Sequence, residues 1–394
     1  MKTPIDKIVA GCLILTMISS MSLLTLSAAP IIADHRCTAI SSIPPQFIMQ
    51  AKSTLHIAYG HTSHGSQITT GMSGLVSFMN DLGYPENLFT YTSGGTGGAL
   101  DLRDTPFSGA SDLGNPDRTA WESSTRTYLN THQDVNVIIW SWCGQVDGSE
   151  SDIDTYLNLM SGLERDYPGV KFVYMTGHLN GGGLSGNVNV RNQQIRDYCI
   201  ANDKILFDFA DIESFDPDGL TNYLVLMAND NCDYDSDGNG SRDANWALGW
   251  QDSHTENVHW YGCSSAHSQS LNANRKAYAA WWLWARLAGW GGEPGSSDTS
   301  SFPVIDKVEF TLHENYPNPF NPGTTVRFTL HRPGIVLMNI YNSLGVQITT
   351  LVSSQLTVGE HSIYWDASNY ASGVYYYRFE SGRSAETKKL LLVR

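Results

Sequence analysis

Between residues 55 and 288 the chain alternates short apolar runs with longer segments that carry apolar residues at helical spacing. The apolar runs predict buried strands, and the spaced segments predict helices with one apolar face. This rhythm predicts the α/β class, with a parallel sheet covered by helices on both faces. In such sheets ligands bind beyond the carboxyl ends of the strands. The predicted strands are 55–59, 135–142, 170–175 and 205–209, and the predicted helices are 68–82, 152–166, 189–202 and 271–288.

The C-terminal part follows a different pattern. Short runs of alternating apolar and polar residues at 324–330, 335–341 and 373–379 are separated by turn residues. Strands at this spacing predict a small antiparallel β-sandwich. A Gly/Ser/Pro-rich stretch without periodicity precedes it and predicts a linker. The predicted organisation is a signal peptide at 1–29, an α/β domain at 37–290, a linker at 291–308 and a β-sandwich domain at 309–394.

Composition and charge narrow the classes of function. The chain has 394 residues, 41% hydrophobic and 16% charged, and at about 150 residues per domain this suits two or three folded domains. The formal net charge is −15. General nucleic-acid binders and basic membrane-surface proteins need a positive surface, so the charge argues against both. Abundant glycine and aromatic residues suit a loop-rich extracellular protein that contacts carbohydrate.

The N-terminal segment has the features of a secretory signal peptide. Lys2 and Lys7 precede an apolar run over 8–26, and small residues provide a cleavage point after Ala29. An uncleaved membrane anchor is the alternative, because about 19 apolar residues can span a bilayer. The small residues that end the apolar run favour cleavage over anchoring. We therefore expect an exported mature chain without a stable membrane span.

Export makes disulfides possible for the five cysteines of the mature chain. Their odd number leaves at least one thiol unpaired in a monomer. Cys232 and Cys263 flank one loop-like region and are the favoured bridge, and Cys37 with Cys199 is the second candidate. Cys143 follows an apolar strand, so we expect a buried free thiol there.

Small and polar residues cluster after three of the predicted strands, at 60–67, 143–145 and 176–181, and after a further strand-like run at 89–91, at 93–98. Together they predict a pocket at one edge of the sheet. Ser63 lies where a strand turns into a helix, so its hydroxyl is the candidate nucleophile and its N–H a candidate oxyanion donor. An N-cap for that helix is the alternative role. The other candidate oxyanion donors are Gly97, Gly98, Gln145 and Asn180, for which tight turns or loop bracing are the alternatives.

The turn HTSHG at 61–65 resembles that of the SGNH/GDSL hydrolase superfamily. In that family the nucleophilic serine follows the first strand, oxyanion donors follow the next two, and the base histidine precedes the last helix. The resemblance covers most of residues 50–290. It implies a three-layer α/β sandwich in which Ser63 is the nucleophile and His267 is the base.

Two positions depart from the family pattern. Ser264 stands where the family has an acid three residues before the histidine, and glutamine stands where its third block has asparagine. The acid then comes from Asp252 or Glu256, or the site is a Ser-His dyad, or activity is lost. Glu256 and His259 have the acid-x-x-His spacing and form a rival pair, although His267 is favoured.

Two motifs frame the C-terminal part. The segment NYPNPFNP at 315–322 opens it, and KKLLLVR at 388–394 closes it. This part resembles the C-terminal sorting domain of type IX secretion cargo. The resemblance implies that the secretion machinery is a partner, that the chain crosses the outer membrane, and that it is then released or attached to the cell surface.

Metal sites are a further possibility. Neutral imidazoles bind metals, but the spacing among the histidines matches no known catalytic motif, so a metal enzyme is the less favoured hypothesis. The histidines concerned are His61, His64, His178, His254, His259 and His267.

Residues 233–243 resemble a DxDxDG calcium loop. Alternating carboxylates can converge on one hard cation, and glycine at position 238 permits the sharp turn. Ala244 stands where an EF-hand has its bidentate glutamate, and an exposed acidic turn is the alternative. The sequence therefore predicts structural calcium and no organic cofactor. The candidate ligands are Asp233, Asp235, Asp237, Asn239 and Asp243.

These features favour a secreted serine esterase or deacetylase. Ser63, activated by His267, would form an acyl-enzyme that water releases. Export, acidity and aromatic content favour an O-acylated polysaccharide or an acylated small molecule as substrate. A non-catalytic glycan-binding or adhesive surface protein is the main alternative, because the acid before His267 is missing. A polysaccharide lyase is a third hypothesis.

Overall fold

A computed structural model describes residues 29–292, 310–330, 334–342, 347–381 and 384–394. The predicted signal peptide, apart from its last residue, and most of the predicted linker lie outside the described residues. Within them, no helix combines the length and the apolar character that a membrane crossing needs. We call residues 29–292 the α/β body and the described residues from 310 onward the β tail.

The body is built on one sheet with helices on both faces. The strands of the sheet are β1 (Ile31–Ala33), β2 (His56–Gly60), β3 (Tyr91–Thr92), β4 (Leu100–Asp104), β5 (Val137–Trp140), β6 (Lys171–Met175) and β7 (Ile205–Phe207). The helices are α1 (Pro45–Thr54), α2 (Ser66–Asp81), α3 (Ala120–Thr131), α4 (Glu150–Asp166), α5 (Asn187–Ala201), α6 (Phe209–Ile212), α7 (Trp246–Ser253) and α8 (Ser270–Leu287). The strand order is β1-β7-β6-β5-β2-β4-β3, and every pair is parallel. The predicted α/β architecture is confirmed.

Strand β5 shows why its sequence is apolar throughout. Val137 and Ile139 face the core formed with α1, α2 and α8, whereas Ile138 and Trp140 face the core formed with α3, α4 and α5. Side chains alternate across a strand, so a strand covered on both faces needs apolar residues at every position. All four side chains are buried.

The helices follow the predicted periodicity. In α4, Ser149 and Asp152 form a reciprocal capping box at the N-terminus, and Tyr156, Met160 and Leu163 are buried on one face. Helices α2 and α8 pack closely on the same side of the sheet. A Cβ added at Gly71 of α2 would lie 2.2 Å from the backbone oxygen of Ala273 in α8, so only glycine permits this approach.

The β tail is a pair of antiparallel sheets. Its strands are β10 (Phe310–Leu312), β11 (Gly323–Leu330), β12 (Gly334–Asn342), β13 (Gln347–Leu356), β14 (Gly359–Asp366), β15 (Gly373–Ser381) and β16 (Ser384–Leu392). The sheet orders are β10-β11-β14 and β13-β12-β15-β16. Asn318 of the opening motif donates to the carbonyl of Lys389 and accepts from the N–H of Leu391, so the two sequence motifs meet.

The predicted disulfides are not formed. All five cysteines that the structure describes are free thiols. Cys232 lies against the hydroxyl of Ser268 at 3.5 Å, and Cys263 lies against the carbonyl of Ser270 at 3.7 Å. The segment between Cys232 and Cys263 folds into two short strands, β8 (Asp233–Tyr234) and β9 (Ala244–Asn245), and helix α7. The two thiols contact different residues near the start of α8.

We expect Gly71→Ala to lower the free energy of unfolding by about 2 kcal/mol, because the added methyl group overpacks the α2–α8 contact. Gly162 lies inside α4, where an added Cβ would meet its nearest neighbour at 3.7 Å. Gly162→Ala is therefore the control, and it should raise stability by about 0.5–1 kcal/mol. Denaturant unfolding measures both, and equal effects would contradict the proposed close approach.

Candidate functional site at the carboxyl edge of the sheet

Three neighbouring strands, β2, β5 and β6, deliver polar segments to one edge of the sheet. A short 3₁₀ turn at Ser63–Gly65 follows β2 and leads into α2. Its backbone packs tightly against the exit of β5, since a Cβ at Gly65 would lie 2.2 Å from the hydroxyl of Ser141. This contact brings the turn after β2 next to the residues after β5.

His64 is the centre of the site and is 7% exposed. Its Nε2 lies 2.9 Å from Oδ2 of Asp230, and its Nδ1 lies 3.6 Å from Sγ of Cys143. The tautomer that satisfies both contacts donates Nε2–H to Asp230 and presents the Nδ1 lone pair to the thiol. A nucleophile, a base and an orienting acid are thus in line.

Electrostatics keep this line in its reactive form. Burial lowers the pKa of His64, against the opposing effect of the hydrogen bond to Asp230. Burial alone would raise the pKa of Asp230, but the hydrogen bond from His64 and the nearby imidazoles outweigh it, so the net shift is downward. A neutral imidazole beside an ionised carboxylate can accept a proton from the thiol.

Three imidazoles stack at this edge. His64 lies between His178, at a centroid distance of 3.7 Å and an interplanar angle of 3°, and His267, at 4.6 Å and 21°. His178 follows β6, and its Nδ1 lies 2.8 Å from the carbonyl oxygen of Leu179. The stack fixes the plane of the His64 ring.

Ser63 and His267, the predicted nucleophile and base, both lie at this edge. Ser63 is exposed, and among the described residues its hydroxyl has no hydrogen-bond partner. His267 is exposed and packs its ring on His64. The pairing of Ser63 with His267 stays a prediction.

Gln145 and Asn180 also lie at the predicted edge, where each supports the backbone. The Gln145 carboxamide oxygen accepts from the N–H of Cys143 at 3.1 Å. Asn180 pairs with Asn229 in an isolated β-bridge, which holds the segment that carries Asp230. Their predicted role as oxyanion donors stays a prediction.

The structure places Gly97 and Gly98 at the opposite end of β2 from Ser63, which corrects their predicted position. Their loop connects β3 to β4 and is tied down by Gly94, whose N–H donates to Asp101. Asp101 lies beside His56, the first residue of β2. Strand β2 is five residues long, about 13 Å from end to end. The prediction was wrong because β4, the strand beside β2, has no unbroken apolar run and was therefore not recognised as a strand.

Asp252 lies in α7, and Glu256 and His259 follow that helix. Asp252 and Glu256 are exposed, and His259 accepts from the N–H of Thr255 at 3.1 Å. Burial and the neighbouring His254 lower the pKa of His259. Among the described residues, no hydrogen bond joins the three predicted groups to Ser63 or His267.

A metal could be held by one cluster at this edge. The ligand atoms of His64, Asp230 and His267 lie within 4.8 Å of one another. Both ring nitrogens of His64 already have partners, however, since Nε2 lies against Asp230 and Nδ1 against Cys143. The arrangement fits an acid–base pair better than a metal centre.

The acidic loop uses its oxygens on its own backbone. Asp235 accepts from the N–H groups of Gly238, Asn239 and Gly240, and Asp243 accepts from that of Ser236. The Asp233 carboxylate accepts from neighbouring asparagine side chains. This loop is not among the described clusters whose ligand atoms converge. The calcium site stays a prediction.

Two residues of the central line were missed as chemical groups in the sequence. The sequence predicts a buried thiol at Cys143, whereas the structure shows it half-buried, three residues after the end of β5. Asp230 lies 166 residues after His64 in a segment without a recognisable motif. The position of Cys143 after a predicted strand was an available signal, whereas none pointed to Asp230.

Comparison with known proteins identifies the β tail. Residues 314–393 match the model of the secretion system C-terminal sorting domain. The tail is a type IX sorting domain. The chain is therefore exported by type IX secretion to the cell surface or beyond it.

No curated protein matches the chain. The similar solved structures include inactive OgpA from Akkermansia muciniphila with an O-glycopeptide substrate, at 10% identity and a TM-score of 0.22, covering 86% of this chain and 92% of that one. An endo-beta-1,4-mannanase from Thermotoga petrophila matches at 10% identity and 0.17, covering 71% and 50%. The Ig1 domain of mouse SynCAM 2 matches at 13% and 0.13, covering 18% and 80%. Such low scores carry no argument about the body, and its SGNH/GDSL resemblance stays a prediction.

We expect iodoacetamide at neutral pH to label Cys143 before the other described thiols. Burial raises the pKa of Cys37 and Cys232 to about 12 and that of Cys263 to about 11, and it also raises the pKa of Cys199. Thiolates are the reactive form, so these four react slowly. Peptide mass spectrometry of the full chain gives the order of labelling, with Cys143→Ala as the control; earlier labelling of Cys263 would contradict the assignment.

Proposed function

We propose that this exported protein is an acyl hydrolase whose catalytic groups are Cys143, His64 and Asp230. The contact of the Cys143 thiol with Nδ1 of His64, whose other nitrogen is bound to Asp230, carries the proposal. Nucleophile, base and orienting acid are the three parts that acyl transfer requires. The site lies at the carboxyl edge of a parallel sheet, where α/β proteins place their ligands.

The reaction proceeds in two steps. His64 takes the thiol proton of Cys143 on Nδ1, the sulfur attacks the ester carbonyl carbon, and the C–O bond breaks as His64 returns the proton to the leaving alcohol. Water then loses a proton to His64 and attacks the thioester. The carbon–sulfur bond breaks, the carboxylic acid leaves, and the proton returns to sulfur. One ester and one water become one acid and one alcohol.

Backbone groups beside the nucleophile are the candidates for the oxyanion donors. Gly144 follows Cys143, and a Cβ added there would meet no atom within 4 Å, so this backbone is open to a ligand. Ser63 is the first residue of its 3₁₀ turn, so its N–H has no intrahelical acceptor. Donors that face a developing negative charge account for much of the catalysis of acyl transfer.

A serine mechanism is the second candidate, favoured by the exposed Ser63 hydroxyl at the same edge. In that mechanism Ser63 carries the acyl group and His267 is the base, as the SGNH/GDSL resemblance implies. For either nucleophile we propose an O-acylated polysaccharide as the substrate class, because the chain is exported and rich in aromatic residues. If hydrolysis depends on neither Cys143 nor Ser63, the glycan-binding alternative remains.

We expect Cys143→Ala to reduce kcat/KM for a short-chain aryl acetate by at least about 1,000-fold, because it removes the nucleophile. Ser63→Ala should keep activity within about tenfold if the serine supplies only its backbone N–H. Cys263→Ala is the matched control, since Cys263 is also a half-buried thiol but lies away from His64. Loss of activity in Ser63→Ala alone would transfer the role to the serine.

The pH dependence follows from the pKa of His64. The base must be neutral, and burial lowers its pKa, so activity is present above the folded pKa and is lost as the pH falls through it. We expect the pH profile of kcat/KM to have its midpoint below about pH 6.5, the pKa of an ordinary imidazole. Melting temperatures over the same range separate this effect from unfolding. A midpoint above the ordinary value would contradict a buried neutral base.

Structural calcium at 233–243 remains a further proposal, supported by the spacing of its carboxylates. Binding to the folded state alone would raise the melting temperature by mass action. We expect excess calcium to raise the Tm of the full chain over its value in EDTA, and magnesium to do so less. The same midpoint in calcium and EDTA would remove the proposal.

A further inference from the structure

An ion pair without any solvent exposure lies behind the site. Nζ of Lys276 in α8 is 2.6 Å from Oε2 of Glu213, and both side chains are 0% exposed. The Lys276 ammonium also lies 3.6 Å from the centroid of the Phe209 ring. Burying two charges costs free energy that apolar residues of the same size would avoid. Packing alone therefore does not account for this buried ion pair.

Hydrogen bonds extend from the pair in two directions. On one side, Lys276 donates to the carboxamide oxygen of Gln67, and the Gln67 amide donates to the carbonyl of Ala266 at 2.5 Å. On the other side, Glu213 accepts from the backbone N–H of Leu179. The result is an unbroken series from Ala266 through Gln67, Lys276 and Glu213 to Leu179.

The series runs alongside the imidazole stack. Gln67 lies three residues after His64, close to the start of α2. Ala266 directly precedes His267, and Leu179 directly follows His178. Every stacked ring is thus on a segment that the buried pair holds.

The outer ring His267 has a particular need for support. It is exposed, and its backbone φ is +60°, a left-handed conformation that residues other than glycine rarely adopt. Such a conformation persists only when its surroundings hold it. The bond from Gln67 to the neighbouring Ala266 carbonyl is one such restraint.

We infer that Lys276 and Glu213 are positioning residues, which set the spacing of the three imidazoles and keep the His64 ring aimed at Cys143. Neither touches the thiol; they act through Gln67 and Leu179. The part of this inference that concerns Cys143 rests on the proposed function, whereas the order of the ring stack does not.

The test uses the full chain with Glu213→Gln and Lys276→Met combined. This double variant removes both charges at similar volume, so no unpaired charge remains buried. Gln67→Leu breaks the series on one side and leaves the pair intact. Glu164→Gln with Lys204→Met is the matched control, because that pair is as close, at 2.5 Å, but partly exposed.

Two readouts follow the site directly. Ring-labelled histidine NMR reports the stack, because stacked rings shift one another's resonances. The rate of Cys143 alkylation against pH reports the contact of thiol and imidazole. We expect the double variant and Gln67→Leu to lose the stacking shifts and to slow alkylation about tenfold or more, since a small misplacement of a reacting group has large effects. The matched control should change neither.

Melting temperatures separate positioning from folding. If the double variant melts near the wild type but loses the stacking shifts, the inference holds, even where no variant hydrolyses an ester and the proposed function fails. If the stacking shifts and the alkylation profile are unchanged in both Gln67→Leu and the double variant, the pair has no positioning role. Loss of the shifts only in the matched control would also overturn the inference. An unfolded double variant transfers the decision to Gln67→Leu.

Discussion

The parallel pairing of β2, β5 and β6 is the constraint on which the site depends. Gly60 of β2 pairs with Trp140 of β5, and Ile139 of β5 pairs with Val173 of β6, so the three strands end within one residue of the same level. Because all run in one direction, the turns after them meet at one edge. The close approach of Gly65 to Ser141 then leaves the distance between His64 and Cys143 little freedom.

Burial gives this edge its chemistry. A histidine in water is partly protonated near neutral pH, but at 7% exposure the neutral form of His64 is favoured. Asp230 remains ionised because it accepts from His64 and from the N–H of Asn231. The same carboxylate selects the tautomer that leaves Nδ1 for the thiol. Burial thus favours the neutral imidazole, and the hydrogen bond to Asp230 fixes its orientation.

Export and the proposed catalysis involve separate parts of this chain. The type IX sorting domain at 314–393 directs export, and the site proposed for catalysis is built entirely from the α/β body. The body keeps five free cysteines although the protein is exported. Three of them are buried, and a large two-sided core provides the stability that small exported domains obtain from disulfides.

Local patterns predicted much of the fold. The apolar run at Val137–Trp140 defines a strand, because a strand buried on both faces is apolar at every position. The spacing in Glu150–Asp166 defines a helix, because a helix buried on one face has apolar residues every three or four positions. Strand β4 was missed because charged residues interrupt it at Asp101 and Arg103. Its neighbours His56 and Asp134 pair with these charges, which no local pattern reveals.

By itself the sequence determined the sorting domain, the parallel sheet and the edge at which Ser63, Gln145 and Asn180 lie. Each depends on residues close together in the chain, where periodicity and short motifs are informative. Only the tertiary structure decided that Cys143 and Asp230 meet His64, across separations of 79 and 166 residues. Such contacts depend on the order of the strands in the sheet and on the paths of the long loops. Neither can be predicted from the spacing of residues along the chain.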